Sequence, residues 1–89
     1  MRLSKEKREK IAEQVLSYLY HIFPKSAFTA EIAREIARDE EFIKSLLFEL
    51  KDAELVILIR KNPKGVNYSR RQRWRLTKKA QQAYKQQQY

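Results

Sequence analysis

The sequence predicts a mainly α-helical domain with one small antiparallel β-hairpin, an α+β chain in the order helix, strand stub, helix, helix, strand, turn, strand, helix. Three observations predict it. Before Asp52, apolar residues recur three and four positions apart, the spacing of one buried stripe per helix. From Leu55 the pattern changes to the unbroken apolar run Leu55-Val56-Ile57-Leu58-Ile59, and the stretch from Arg70 to Leu76 then alternates. Between the two lies Asn62-Pro63-Lys64-Gly65, which suits a type I turn because Pro presets φ and Gly relieves crowding on the exit.

The first helix is expected over about 4–22, with Ser4 capping its free amides and Pro24 stopping it. Its stripe is Ile11, Val15, Leu19 and Ile22 with Ala12 and Leu16 alongside, while Tyr18, Tyr20 and Phe23 pack at its end. Ala27-Phe28 forms a strand stub beside the hairpin. Thr29 is expected to cap a second helix over about 30–38, with Glu31 near its positive end and Ile32, Ala33, Ile36 and Ala37 buried. Asp39 then caps a third helix over about 40–52, with Glu40 and Glu41 in its first turn and Phe42, Ile43, Leu46, Leu47 and Leu50 buried.

The hairpin follows over about 55–76. On its returning run Gln72, Trp74 and Leu76 share a face that can pack, which makes Trp74 a core anchor. Arg71, Arg73 and Arg75 form a row on the other face, about 7 Å apart because each strand residue rises about 3.4 Å. The outgoing strand is apolar on both faces, with Ile57 and Ile59 expected toward the helices. Val56 and Leu58 then need cover from the last helix or from a second copy of the chain. Thr77 is expected to cap that last helix, about 78–86, whose stripe of Ala80, Ala83 and Tyr84 is thin. The whole chain, 1–89, reads as a single domain.

Composition excludes several classes of function. There is no cysteine and only one histidine, His21, so no thiolate zinc site is available and no metal or other cofactor is expected. His21 has no companion nucleophile or carboxylate, and Asp39, Glu40 and Glu41 are explained as charges at a helix start, so the chain is not expected to be an enzyme. One glycine cannot build a glycine-rich phosphate loop. The five-residue run from Leu55 to Ile59 is far too short to span a membrane, and the basic first residues lead into no signal-type apolar region; a cytoplasmic protein is expected.

The net charge of +9 is unevenly placed. Residues 1–54 hold 10 Lys+Arg and all 11 Asp+Glu, whereas residues 55–89 hold the other 10 Lys+Arg and no acid. The entire excess sits on the hairpin and tail. A block of one sign repels itself and implies a polyanionic partner, nucleic acid above all.

Two helices joined by a tight turn, the second leading into a hairpin, make a helix-turn-helix with a wing. Leu47-Phe48-Glu49-Leu50-Lys51-Asp52-Ala53-Glu54-Leu55-Val56 and Trp74-Arg75-Leu76-Thr77-Lys78-Lys79-Ala80 carry the comparison further. Over roughly residues 8–84 the chain resembles the winged-helix family of small DNA-binding regulators of bacteria, archaea and archaeal viruses. The first segment looks like the family's recognition helix entering its first wing strand, and the second like the end of the wing. The resemblance implies duplex DNA as partner and a transcriptional regulator or nucleoid-associated factor. A homodimer is expected, with the terminal helices and the first helix in contact.

Two departures shape the expected mechanism. Where the family usually places Gly at the end of the third helix, this chain has Glu54, which is expected either to loosen the turn or to strain it by about 1 kcal/mol. The third helix also carries Asp39, Glu40, Glu41, Glu49, Asp52 and Glu54 against only Lys44 and Lys51, which opposes its entry into a groove lined by phosphates. Binding led by the wing is therefore expected. Arg60, Lys61, Lys64, Arg70, Arg71, Arg73 and Arg75 would neutralise phosphates, Asn67 and Tyr68 would hydrogen-bond to sugars or base edges, and Lys44 and Ser45 would contribute from the third helix. Arg2, Lys5, Lys7, Arg8 and Lys10 offer a second backbone contact or simply a solvated helix face. Two alternatives stay open: a protein-interaction module of transcription, replication or ribosome machinery that docks through its acidic third helix, and an RNA-binding winged helix.

Overall fold

A computed structural model of the chain describes residues 4–59 and 72–86. Helix α1 spans Lys5–Ile22, strand β1 Ala27–Phe28, α2 Thr29–Ile36 and α3 Glu40–Asp52; β2 covers Val56–Ile59, β3 Arg73–Leu76 and α4 Lys78–Gln86. The expected turn at 62–65 lies outside the described residues.

The capping residues explain where most helices start. The Ser4 hydroxyl accepts from the Lys7 amide at 3.2 Å, the Asp39 carboxylate from Phe42 at 3.1 Å, and the Thr77 hydroxyl from Ala80 at 3.0 Å. Each satisfies an amide that has no partner inside its own helix. Thr77 also donates to the Glu54 and Leu55 carbonyls, tying the start of α4 to the end of α3.

Helix α2 departs from expectation at both ends. Thr29 is its first helical residue rather than its cap; Phe28 holds the cap position, and the Glu31 carboxylate reaches back to the Phe28 amide at 2.8 Å. The helix stops at Ile36, short of the expected Arg38, because Ala37 takes a left-handed conformation with φ 61°. Arg38 then donates to the Ala33 carbonyl at 3.0 Å, closing the last turn. Helix α3 ends the same way: Glu54 sits at φ 63°, with Glu54 and Leu55 donating to the Lys51 and Leu50 carbonyls. This is the geometry that Gly adopts at least cost, and here two residues with side chains hold it.

The strands form one antiparallel sheet in the order β1-β3-β2. The hairpin register pairs Val56 with Leu76, Ile57 with Arg75, Leu58 with Trp74 and Ile59 with Arg73. Cross-strand partners share a face, so Val56, Leu58, Trp74 and Leu76 point together. Val56, Trp74 and Leu76 are at most 1% exposed, and Leu58 packs against the same core. The expectation that Ile57 and Ile59 face the helices is therefore inverted: they lie on the outer face with Arg73 and Arg75. In a strand apolar on both sides, only the partner strand decides which set is buried.

The core lies between this inner face and the helices, with Ile11, Val15 and Leu19 from α1, Ile32 and Ala33 from α2, and Ile43, Leu46, Leu47 and Leu50 from α3. Trp74 is its largest fully buried side chain and meets Phe48 of α3 edge to face, ring centres 5.2 Å apart. Helix α4 joins through buried Ala80 and through Tyr84, whose ring lies 4.6 Å from that of Tyr20. Among the described residues no helix is long and apolar enough to cross a membrane.

Candidate nucleic-acid interface

Strand β3 presents Arg73 and Arg75 on the outer face of the sheet, two residues apart and opposite Ile59 and Ile57. All four side chains are half-buried. Arginine can cover apolar surface with its three methylenes, and the register sets the two stems beside the isoleucines that face away from the helices. The sheet's outer face thus carries two cations. The Arg73 guanidinium also lies over the Phe28 ring, 5.8 Å from its centre, within the range of a cation–π contact. The Nε of Arg75 is shielded from water and has no hydrogen-bond partner.

Helix α3 carries the other candidate residues. Lys44 is half-buried and lines a cleft of about 410 Å³ with Phe28, Thr29, Ala30 and Glu31 at the start of α2, Glu40 and Glu41 at the start of α3, and Gln72 at the start of the returning strand. The cleft brings the helix-turn-helix and the wing together, and its rim is charged with both signs. Ser45 is exposed, and its hydroxyl lies 3.4 Å from the Arg8 guanidinium.

Arg8 is a functional candidate whose partners the sequence did not reveal. From α1 it forms an ion pair with Glu49, touches Ser45 and lies over the Phe42 ring at 5.2 Å. Glu49, an acid that counted against docking α3 on DNA, is thereby paired with a cation of the same chain at the surface. A signal for this existed: Arg8 lies one turn before Ile11 and Ala12 and so continues their stripe. Glu40 and Glu41 remain exposed in the first turn of α3, where the helix dipole favours them. On the other side of α2, burial and then the charges of Glu31 and Glu35 raise the Tyr18 phenol above its ordinary pKa of 10.0.

Of the residues expected to meet nucleic acid, the structure places Lys44, Ser45, Arg73 and Arg75. Arg60, Lys61, Lys64, Asn67, Tyr68, Arg70 and Arg71 lie outside the described residues.

No family model matches the chain, and no curated protein matches it. Solved structures do. The chain superposes on the Zalpha domain of Carassius auratus PKZ in complex with Z-DNA with a TM-score of 0.62 at 18% identity, covering 80% of this chain and 98% of that one. The S. aureus MepR–DNA complex gives a TM-score of 0.70 at 21% identity, covering 91% of this chain and 66% of that one. Lactococcus lactis ZitR, a zinc-responsive MarR family member, gives 0.66 at 23% identity, covering 98% of this chain and 52% of that one. The chain thus spans about two thirds of the MepR length and about half that of ZitR.

Proposed function

The chain has the winged-helix fold, and from that premise we propose that it binds duplex DNA through its arginine-bearing wing, as a transcriptional regulator or nucleoid-associated factor of the cytoplasm. The observation that carries this reading is the pairing of Arg73 and Arg75 on one face of β3, within a segment, residues 55–89, that holds ten cations and no acid. A row of guanidiniums at strand spacing matches a line of phosphates, and each neutralised phosphate releases counterions. Lys44 adds a cation from α3 at the cleft where helix and wing meet. Two of the superposed structures, the Zalpha domain and MepR, were solved with Z-DNA and with DNA.

The chain is proposed to act as a homodimer through α1 and α4. Leu16, Leu55, Leu76, Ala80, Ala83 and Tyr84 line an apolar trough between these helices, a surface that a second copy would cover.

Titration of wild-type protein with duplex DNA, single strands and structured RNA across a salt series tests the reading. Duplex is expected to bind with an affinity that falls steeply as salt rises. Preference for structured RNA, or an affinity indifferent to salt, contradicts it. A second reading has its own support in the exposed Glu40 and Glu41, which present acid where a groove-reading helix would meet phosphate. In that reading the helix-turn-helix docks on a basic protein partner. The variant Glu40→Lys/Glu41→Lys separates the two: loss of a protein partner without loss of duplex affinity favours docking.

A further inference from the structure

We propose that the Thr29 hydroxyl is the positioning group that fixes the wing's returning strand to the start of α2, and so sets Arg73 and Arg75 relative to α3. The proposal rests on the duplex-binding reading above. Thr29 is 6% exposed and is the only buried polar residue among those described. Its hydroxyl accepts from the Trp74 indole Nε1 at 2.8 Å and donates to the Gln72 carbonyl at 3.3 Å. Its backbone N–H donates to the same carbonyl at 3.1 Å. One residue therefore holds both Gln72 and Trp74, and Arg73 lies between them.

The place of these contacts in the sheet gives them their importance. Strand β1 pairs with β3 only at Ala27 with Trp74 and Phe28 with Arg73, and the described β2–β3 ladder ends at Ile59 with Arg73. Gln72 is one position past both ladders. Thr29 continues the pairing to Gln72 where the described strands stop, at the root of the hairpin's returning arm. Trp74 then carries the constraint onward, since its ring stands edge-on against Phe48 of α3. The start of α2, the root of the wing and α3 are linked through one hydroxyl and one indole.

A hydroxyl is required at this position because a buried indole N–H must find an acceptor. Valine has the shape of threonine but leaves Trp74 Nε1 without a partner and the Gln72 carbonyl with a single donor. Serine keeps the hydroxyl and gives up only a methyl. These two substitutions separate positioning from packing.

The test compares Thr29→Val and Thr29→Ser with wild type in titrations against duplex DNA, after helix content is checked by circular dichroism. Trp74 is the only tryptophan, so its indole N–H resonance reports the hydrogen bond in the unbound protein. Thr29→Val is expected to shift that resonance, speed its exchange with solvent and weaken duplex binding about fivefold through loss of preorganisation. Thr29→Ser restores both. In the Arg73→Ala/Arg75→Ala background the valine causes a smaller loss, because two of the groups it misplaces are gone. Undiminished affinity in Thr29→Val, failure of serine to restore it, or an equal loss in both backgrounds overturns the proposal while leaving the duplex reading intact. Wild-type protein that binds no duplex overturns both. If Thr29→Val does not fold, Trp74→Phe removes the same donor while keeping an aromatic ring, and must weaken binding by a similar factor for the proposal to stand.

Discussion

Strand β3 supplies the buried Trp74 and helix α3 packs Phe48 against it, yet the two elements handle their charge in opposite ways. On α3 and at its cap, four acids are used by the fold. Asp39 caps the helix, Glu40 and Glu41 sit at its positive end, and Glu49 is paired with Arg8. On β3 the cations stand opposite Ile57 and Ile59, in a segment with no acid of its own. Arg75 forms no ion pair with any described carboxylate. The contrast teaches that net charge alone is a poor guide to a binding surface. What counts is whether the fold already uses the charge, as it does at Glu49 and, among the described carboxylates, does not at Arg75.

The largest effect expected on this comparison comes from removing the residue that both regions share. Trp74→Ala leaves a cavity and takes from the Thr29 hydroxyl one of its two partners, and should cost about 3–5 kcal/mol of stability in chemical denaturation. A loss below about 1 kcal/mol would show that the wing and α3 are not joined through the core. Next comes Glu54→Gly at the junction of α3 and β2. Glu54 holds φ 63° with a side chain, so glycine should stabilise the protein by about 1 kcal/mol. Its ion pair with Lys79, 3.9 Å long between side chains that are each 78% exposed, should oppose that gain only slightly. No gain in the denaturation midpoint would mean that the junction has relaxed around the glutamate. The smallest effect is expected for Arg8→Ala. Because Glu49 is 58% exposed, loss of the pair should lower stability by less than about 1 kcal/mol. A larger loss would mark Arg8 as part of the scaffold rather than a charge that quiets α3.

Much of this architecture was legible in the residues, for identifiable reasons. Apolar spacing marks α1 and α3 because each buries one stripe, and Ser4, Asp39 and Thr77 act as caps because the amide that each serves is three residues away. Trp74 reads as core because it alternates with arginines. Thr29 misleads for a physical reason: a hydroxyl at a helix start suits a cap, and its actual partner is 45 residues downstream. The inner face of β2 was hidden because Val56 and Leu58 are as apolar as Ile57 and Ile59, so only the register with β3 separates them. The Arg8–Glu49 pair spans 41 positions and joins two helices whose relative placement no local pattern encodes. The left-handed Ala37 was equally hidden, since nothing in its side chain favours that conformation.

The central claim, that the outer face of the wing supplies the phosphate contacts, is tested most directly by the salt dependence of duplex affinity in Arg73→Ala/Arg75→Ala. Each phosphate contact contributes about 0.9 to the slope of log affinity against log salt, so two lost contacts should make the slope shallower by about two and weaken binding at low salt about tenfold or more. A variant whose slope and affinity match those of wild type, with its helix content unchanged, would contradict the claim.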